Sequence, residues 1–358
     1  MIEISLCMIV RDEESVLKRC LDSIYDIVDE IIIVDTGSID RTKEIAKLYT
    51  DKIYDFKWID DFSAARNFSF SKGTKEYLMW LDADDFILEE DRIKLKNFKE
   101  NTEPIYDQIF MKYNVGFDDQ GNVTLSYYRE RIFRRSMDFK WVEPVHEVIN
   151  PGGDIYYLDI AIVHGEKVRK KNDKRNLNIY ENILAKNQTL SPRGSYYYAR
   201  ELYYNQLYGK AIKYFLEFLD SNKGWQEDCI QACKLLSLCY AKMGDSINQL
   251  RILFRSFEYH VPRADICCEI GQIYFERSNY ESAVFWYEMA IKKKNLIENN
   301  GFIYHDYYGY IPALQCCLSY YRLGNIEKAI YYNDLAGTYK PKSPAFLYNK
   351  EFFNRIDK

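Results

Sequence analysis

The chain has 358 residues, with 49 Lys plus Arg against 54 Asp plus Glu and a net charge of -5. That length allows two or three compact units, and the interspersed, nearly balanced charge argues against a general nucleic-acid binder. The opening MIEISLCMIVRDEES lacks the basic start and the length of a signal peptide, and no run approaches the roughly 20 apolar residues of a membrane span, so a soluble cytoplasmic protein with no integral membrane segment is expected.

ISLCMIV, Ile4 to Val10, predicts a buried strand. RDEESVLKRCLDSIYDI follows, with Val16, Leu17, Cys20, Leu21, Ile24 and Ile27 at helical spacing. EIIIVD, Glu30 to Asp35, is a second buried strand, and TGSIDRTKEIAKLY offers Ser38 or Asp40 as a helix cap. KIYDF, the helix-opening WIDDFSAARNFSFSKG and the strand YLMWLD come next. Strands this apolar, alternating with helices, predict a parallel sheet covered on both faces, with ligands at the strand carboxyl ends. From Gln108 to His164 the pattern turns strand-rich, interrupted by the loop WVEPVHEVINPGGD, so the sheet is expected to become mixed.

From Ser191 the spacing is helical and rich in Tyr and Ala. SLCYAKMGDSINQL, GQIYFERSNYESAV and LSYYRLGNIEKAI align through Gly244, Ser278 and Gly324 at offsets of 34 and 46, and Gln206 aligns 38 residues before Gly244. A period of about 34 is that of tetratricopeptide helix pairs. The segment resembles them in Tyr274, Ala283, Tyr287 and Ala290, and again in Tyr321, Gly324, Ala329 and Pro341. The expected domains are therefore an α/β unit over 1–166, a helical connector over 167–190 and an all-α repeat unit over 191–358. The nine cysteines, an odd number without paired CxxC units, read as buried free thiols.

The chemistry gathers where strands end in carboxylates. Asp35 could accept from ribose hydroxyls or a base N–H; a capping turn is the competing reading. In YLMWLDADDF, alternation along an extended segment would turn Asp82 and Asp84 the same way, toward one hard cation, with Asp85 left to the following turn. Arg66 could pair bidentately with phosphate oxygens, and a surface ion pair is its alternative.

CMIVRDEE, EIIIVDTGSIDRT, DDFSAARNFS and YLMWLDADDF, in that order, resemble family 2 glycosyltransferases of the GT-A fold, over roughly Ile4 to Gly165. Among these the chain is most similar to bacterial peptide and protein glycosyltransferases of the sublancin S-glycosyltransferase and flagellin-modifying type, which carry tetratricopeptide repeats behind the catalytic domain. The resemblance implies a metal-dependent, inverting enzyme with a UDP-sugar donor and Mn2+ or Mg2+. By matching motif, Val10, Arg11 and Glu13 would border the nucleotide, and Asp35 would hold the uridine or its ribose. Asp60 or Asp61 with Arg66 would lie near the base and diphosphate, Asp82 would contact ribose or metal, and Asp84 would be the principal metal ligand. WVEPVHEVI resembles the family's VHE segment, which makes His146 a metal ligand with His164 as its rival, and Glu147 or Glu143 the base. Arg131 and Arg134 could reach the phosphates or lie on a solvated face.

The partners implied are a nucleotide-sugar donor and a peptide or protein acceptor held by the repeats; a homodimer is left open. A cell-envelope saccharide or lipid acceptor, and a non-catalytic tetratricopeptide scaffold with a degenerate front domain, are the alternatives.

Overall fold

In the computed structural model, residues 1–103, 105–165, 174–293 and 301–356 are described. The chain divides into two compact units, Met1–Gln188 and, for the most part, Thr189–Lys358. Residue 166 and the first seven residues of the expected connector (167–173) lie outside the described residues, and the helix that follows them belongs to the first unit.

The first unit is built from β1 (Ile4–Val10), α1 (Leu17–Asp22), β2 (Glu30–Asp35), α2 (Thr42–Ala46), β3 (Ile53–Asp55), α3 (Phe62–Lys72), β4 (Tyr77–Met79), β5 (Asp85–Ile87), α4 (Glu89–Asn101), β6 (Gln108–Phe117), β7 (Val123–Arg134), β8 (Trp141–Val142), β9 (Val148–Ile149), β10 (Ile155–His164) and α5 (Arg175–Ala185). Its main sheet runs β3-β2-β1-β4-β7-β6-β10-β5, while β8 and β9 form a separate hairpin. The strands from β3 to β4 are parallel, β7 is antiparallel to both β4 and β6, and β10 lies parallel to β6 and antiparallel to β5. The expected mixed α/β sheet is present.

Alternation explains how one strand serves two cores. Ile4, Leu6, Met8 and Val10 of β1 join Leu17, Cys20 and Leu21 of α1 and Leu95 of α4 on one face. Cys7 points the other way, with Ile32, Val34, Leu78, Trp80 and Phe133, toward Phe70 of α3 and Trp141. From β1 the chain proceeds to β2 and β3 on one side, then returns to place β4 on the other. The crevice at the carboxyl ends of β1 and β4 is thus a topological switch point, where open α/β sheets bind ligands.

The second unit is a run of helices: α6 (Pro192–Tyr204), α7 (Tyr208–Asp220), α8 (Gln226–Lys242), α9 (Ser246–Arg255), α10 (Ala264–Glu276), α11 (Tyr280–Lys292), α12 (Tyr310–Arg322), α13 (Ile326–Tyr339) and α14 (Pro344–Ile356). Short turns join the pairs α6/α7, α8/α9, α10/α11 and α12/α13. Gln206, Gly244, Ser278 and Gly324, the residues that align in the sequence, are the left-handed residues of these four turns, with φ of 62°, 78°, 58° and 75°. In the last three, Asp245, Asn279 and Asn325 then cap the next helix by accepting from the backbone N–H three residues on. All nine cysteines are buried free thiols. No described helix is long and apolar enough to cross a membrane.

Candidate active site

Three loops meet the switch-point crevice. Val10 ends β1, and the following loop is laced to the one after β2: Asp12 N–H donates to Ser38 Oγ at 3.0 Å, Glu13 N–H to Thr42 Oγ1 at 2.7 Å and Glu14 N–H to Asp40 Oδ2 at 3.0 Å. Arg11 stays exposed. Asp35 is buried; its Oδ2 accepts from the Gly37 and Ser38 N–H groups, both at 3.0 Å, with Lys43 Nζ at 3.5 Å. Asp35 thus closes a turn over Gly37 and Ser38, but it does not cap α2, which starts at Thr42 behind Arg41.

The loop between β3 and α3 places Asp60 at φ 60°, where its carboxylate accepts from Trp58 Nε1. Asp61 caps α3 by accepting from Ala64 N–H at 2.9 Å. Within α3, Asn67 exchanges two hydrogen bonds with the backbone of Trp141, each 2.9 Å, and Phe62 N–H donates to Pro144 O at 2.8 Å. The loop carrying Glu143, His146 and Glu147 is thereby held against α3. Glu143 and His146 adopt φ of 74° and 55°, a costly conformation for residues with a Cβ, which this docking sustains.

Arg66 lies at the centre. Its Nη2 donates to Asp82 Oδ1 at 2.7 Å and its Nε to Glu147 Oε1 at 2.6 Å, while the guanidinium packs 4.5 Å from the Trp80 ring and 4.9 Å from Trp141. Nη1 is buried and unpartnered. Burial works against the Arg66 charge, but Asp82 and Glu147 outweigh it and push its pKa further up. Burial likewise opposes ionisation of Asp82, and Arg66 overcomes it, so the Asp82 carboxyl stays below the usual range.

The strand predicted to carry both aspartates stops at Met79, and the chain turns at Ala83–Asp84, with Asp85 N–H donating to Asp82 O at 3.0 Å. A turn does not preserve two-residue alternation, so Asp82 faces Arg66 while Asp84 and Asp85 approach His164 at the end of β10. Asp84, Asp85 and His164 each offer a ligand atom, all within 4.8 Å of one another, and they are the group of that kind among the described residues. Asp82 and His146 are not members of it. His164 Nδ1 lies 3.7 Å from Asp84 Oδ1 and 3.5 Å from Asp85 Oδ1. The hydrogen bond that Asp85 accepts, helped by the charges of Asp84, Asp85 and Asp82, raises the His164 pKa against the pull of burial. Gly165 N–H donates to Asp84 O at 2.9 Å, and a Cβ at residue 165 would lie 2.6 Å from that oxygen, so the close approach requires glycine.

The model of glycosyl transferase family 2 matches residues 5–182, the stretch that builds this sheet and this crevice. Residues 5–182 are a family 2 glycosyltransferase domain. The chain is 27% identical over 243 residues to the SPbeta prophage-derived glycosyltransferase SunS of Bacillus subtilis, which covers 65% of this chain and 57% of that protein. It is 38% identical over 150 residues to a TPR repeat-containing protein of Synechococcus elongatus, 42% of this chain and 36% of that one. The matches thus span little more than half of these relatives at most. The crystal structure of MamA superposes on 46% of this chain and 87% of its own, with a TM-score of 0.38 and 16% identity.

Sequence patterns did not assign three residues of this glycosyltransferase domain the positions they occupy. Asp85 is fully buried and accepts from Tyr113 Oη at 2.7 Å and Arg131 Nη1 at 3.0 Å. Tyr113 lies in a stretch that reads only as strand-rich, and Arg131 reads as a candidate phosphate ligand or solvated residue. Local alternation carries no signal for Arg131, because the pairing of β7 with β6 shifts register there, with Ile132 opposite Ile109 and Glu130 opposite Phe110. Arg134 pairs with Asp107 at 3.3 Å.

Proposed function

We propose that the chain is a metal-dependent, inverting glycosyltransferase that moves a sugar from a UDP-sugar to a side chain of a peptide or protein acceptor. The observation that carries the reading is the switch-point crevice, in which Asp84 and His164 lie close together while Arg66 keeps a buried donor, Nη1, without a partner. The Asp84 carboxylate and the His164 imidazole are donors suited to Mn2+ or Mg2+, and an unsatisfied guanidinium N–H suits a phosphate oxygen.

In this reading Asp84 and His164 hold the cation, which when bound offsets negative charge on the departing diphosphate. Arg66 orients the diphosphate through Nη1, and Asp82 acts through Arg66 and the ribose. Asp35 contacts the uridine or ribose, and Val10, Arg11 and Glu13 border the nucleotide. Glu147 is the base that takes the acceptor proton, its alternative being Glu143. Arg66 Nε, at 2.6 Å from Glu147 Oε1, holds that carboxylate in place beside the diphosphate site. The helix pairs of the second unit hold the polypeptide acceptor.

Hydrolysis of UDP-sugars in the presence and absence of Mn2+, followed by intact-mass screening of candidate acceptor peptides and cell-envelope saccharides, tests this. Wild type should release UDP only with the cation, and Asp84→Ala should lower that rate by a factor on the order of 100 or more, the effect of losing a principal ligand. Equal hydrolysis by wild type and Asp84→Ala would remove the assignment, and a mass gain on the saccharide alone would move the acceptor class.

A further inference from the structure

Behind the crevice, four adjacent strands, β7, β6, β10 and β5, contribute Arg131, Tyr113, His164 and Asp85, four chemically distinct side chains in mutual contact. Asp85 and His164 are direct cross-strand partners. Asp85 Oδ2 accepts from Arg131 Nη1 at 3.0 Å and from Asp82 N–H at 3.2 Å. Its Oδ1 lies 2.7 Å from Tyr113 Oη, and Tyr113 Oη lies 2.8 Å from His164 Nδ1. Arg131 has no exposed surface; its guanidinium is stacked 4.0 Å from the Trp80 ring and 4.4 Å from the Tyr113 ring, which fixes the phenol in place.

Tyr113 has one proton to donate and two acceptors within reach. A carboxylate oxygen accepts more strongly than a neutral ring nitrogen. Donation to His164 instead would leave Asp85 Oδ1 buried with only the 3.5 Å contact to Nδ1. With the phenol O–H given to Asp85, the phenolic oxygen can only accept, and the donor available to it is an Nδ1–H.

We propose that Tyr113, anchored by Asp85 and Arg131, is a positioning residue that fixes neutral His164 as its Nδ1–H tautomer and leaves the Nε2 lone pair as the ring's ligand atom for the cation at Asp84. Asp85 is then a support for the metal site and not one of its ligands. The inference rests on the metal-binding reading above. Metal-bound histidines generally donate their other N–H to an oxygen acceptor, and losing that acceptor weakens binding.

The test uses the full chain labelled with 15N-histidine at alkaline pH, where the rings are neutral. Only 4 histidines are present, so the resonances are few and His164→Asn identifies the one in question. Wild type should show the Nδ1–H pattern at His164 without any metal. Tyr113→Phe should shift that ring toward the Nε2–H form and weaken Mn2+ binding in the presence of UDP by about 10- to 100-fold, read by electron paramagnetic resonance of free Mn2+. An Nε2–H pattern in wild type, or a tautomer unchanged by Tyr113→Phe, would overturn the proposal. Absence of Mn2+ binding by wild type would instead remove the metal-binding reading, while the tautomer measurement would still decide the role of Tyr113.

Discussion

Glu30 shows how one carboxylate can hold the beginning of a sheet together. It opens β2 and is buried; its oxygens accept from Ser5 Oγ, Lys52 Nζ, Thr74 N–H at 2.7 Å and Thr74 Oγ1 at 2.9 Å, which ties together the approaches to β1, β3 and β4. Burial alone would raise its pKa, but the hydrogen bonds from Lys52, Ser5 and Thr74 prevail and bring it down to about 2 from 4.5. Because the folded value is depressed, the stabilisation is fully present above about pH 4.5 and is lost as pH falls toward 2. A shift of that size corresponds to about 3 kcal/mol. Glu30→Gln should lower the denaturant midpoint at pH 7 and flatten the fall in stability between those pH values. An acid limb identical in both proteins would show that Glu30 does not control it. At this scale the sequence made Asp84 and Arg66 legible as site residues because each lies in a local motif. The cluster of Asp85, Tyr113, Arg131 and His164 was not, because its members come together only when four strands pair.

Elements were legible where periodicity was unbroken. β1 and β2 occupy Ile4–Val10 and Glu30–Asp35, the ranges their apolar runs predict. The helix after β1 is shorter than its apolar spacing suggests, Leu17–Asp22, because the chain leaves regular geometry by Ser23. The strand before the aspartates ends early because Asp85 closes the turn back on Asp82. In the second unit, aligning Gly244, Ser278 and Gly324 identified the residue in each turn that must be left-handed. Ser278 occupies that conformation with a Cβ, which costs roughly 1–2 kcal/mol for an L-residue, part of which glycine gives back through its flexible unfolded chain. Ser278→Gly should therefore stabilise the protein by about 1 kcal/mol and raise the melting temperature of that transition by roughly 2–4 °C. Gly244→Ser should shift it in the opposite direction. Calorimetry that finds Ser278→Gly neutral and Gly244→Ser harmless would show that these turns do not carry the backbone strain assigned to them.

At the scale of the whole molecule, the thiols report on how each unit unfolds. Cys7 and Cys20 lie in the first unit, while Cys229, Cys233, Cys239, Cys267, Cys268, Cys316 and Cys317 lie in the second. Burial pushes the Cys229 thiol up to about 11 and those of Cys233, Cys239, Cys267 and Cys317 to about 12, so few thiolates exist near neutral pH and native alkylation should be slow. A repeat array holds itself together through neighbouring contacts and can unravel from one end. Here, however, Tyr274 and Trp286 pack against two apolar clusters of the second unit, one centred on Ile230, Leu253 and Ile270 and the other on Cys268, Tyr287 and Cys316. That shared packing should make the seven thiols lose protection together. Pulse alkylation at increasing guanidinium concentration, read by peptide mass spectrometry, should yield one midpoint for Cys7 and Cys20 and one for the second set. Labelling of Cys316 and Cys317 at clearly lower denaturant than Cys229 and Cys233 would mean that Tyr274 and Trp286 do not join the two clusters into one cooperative unit.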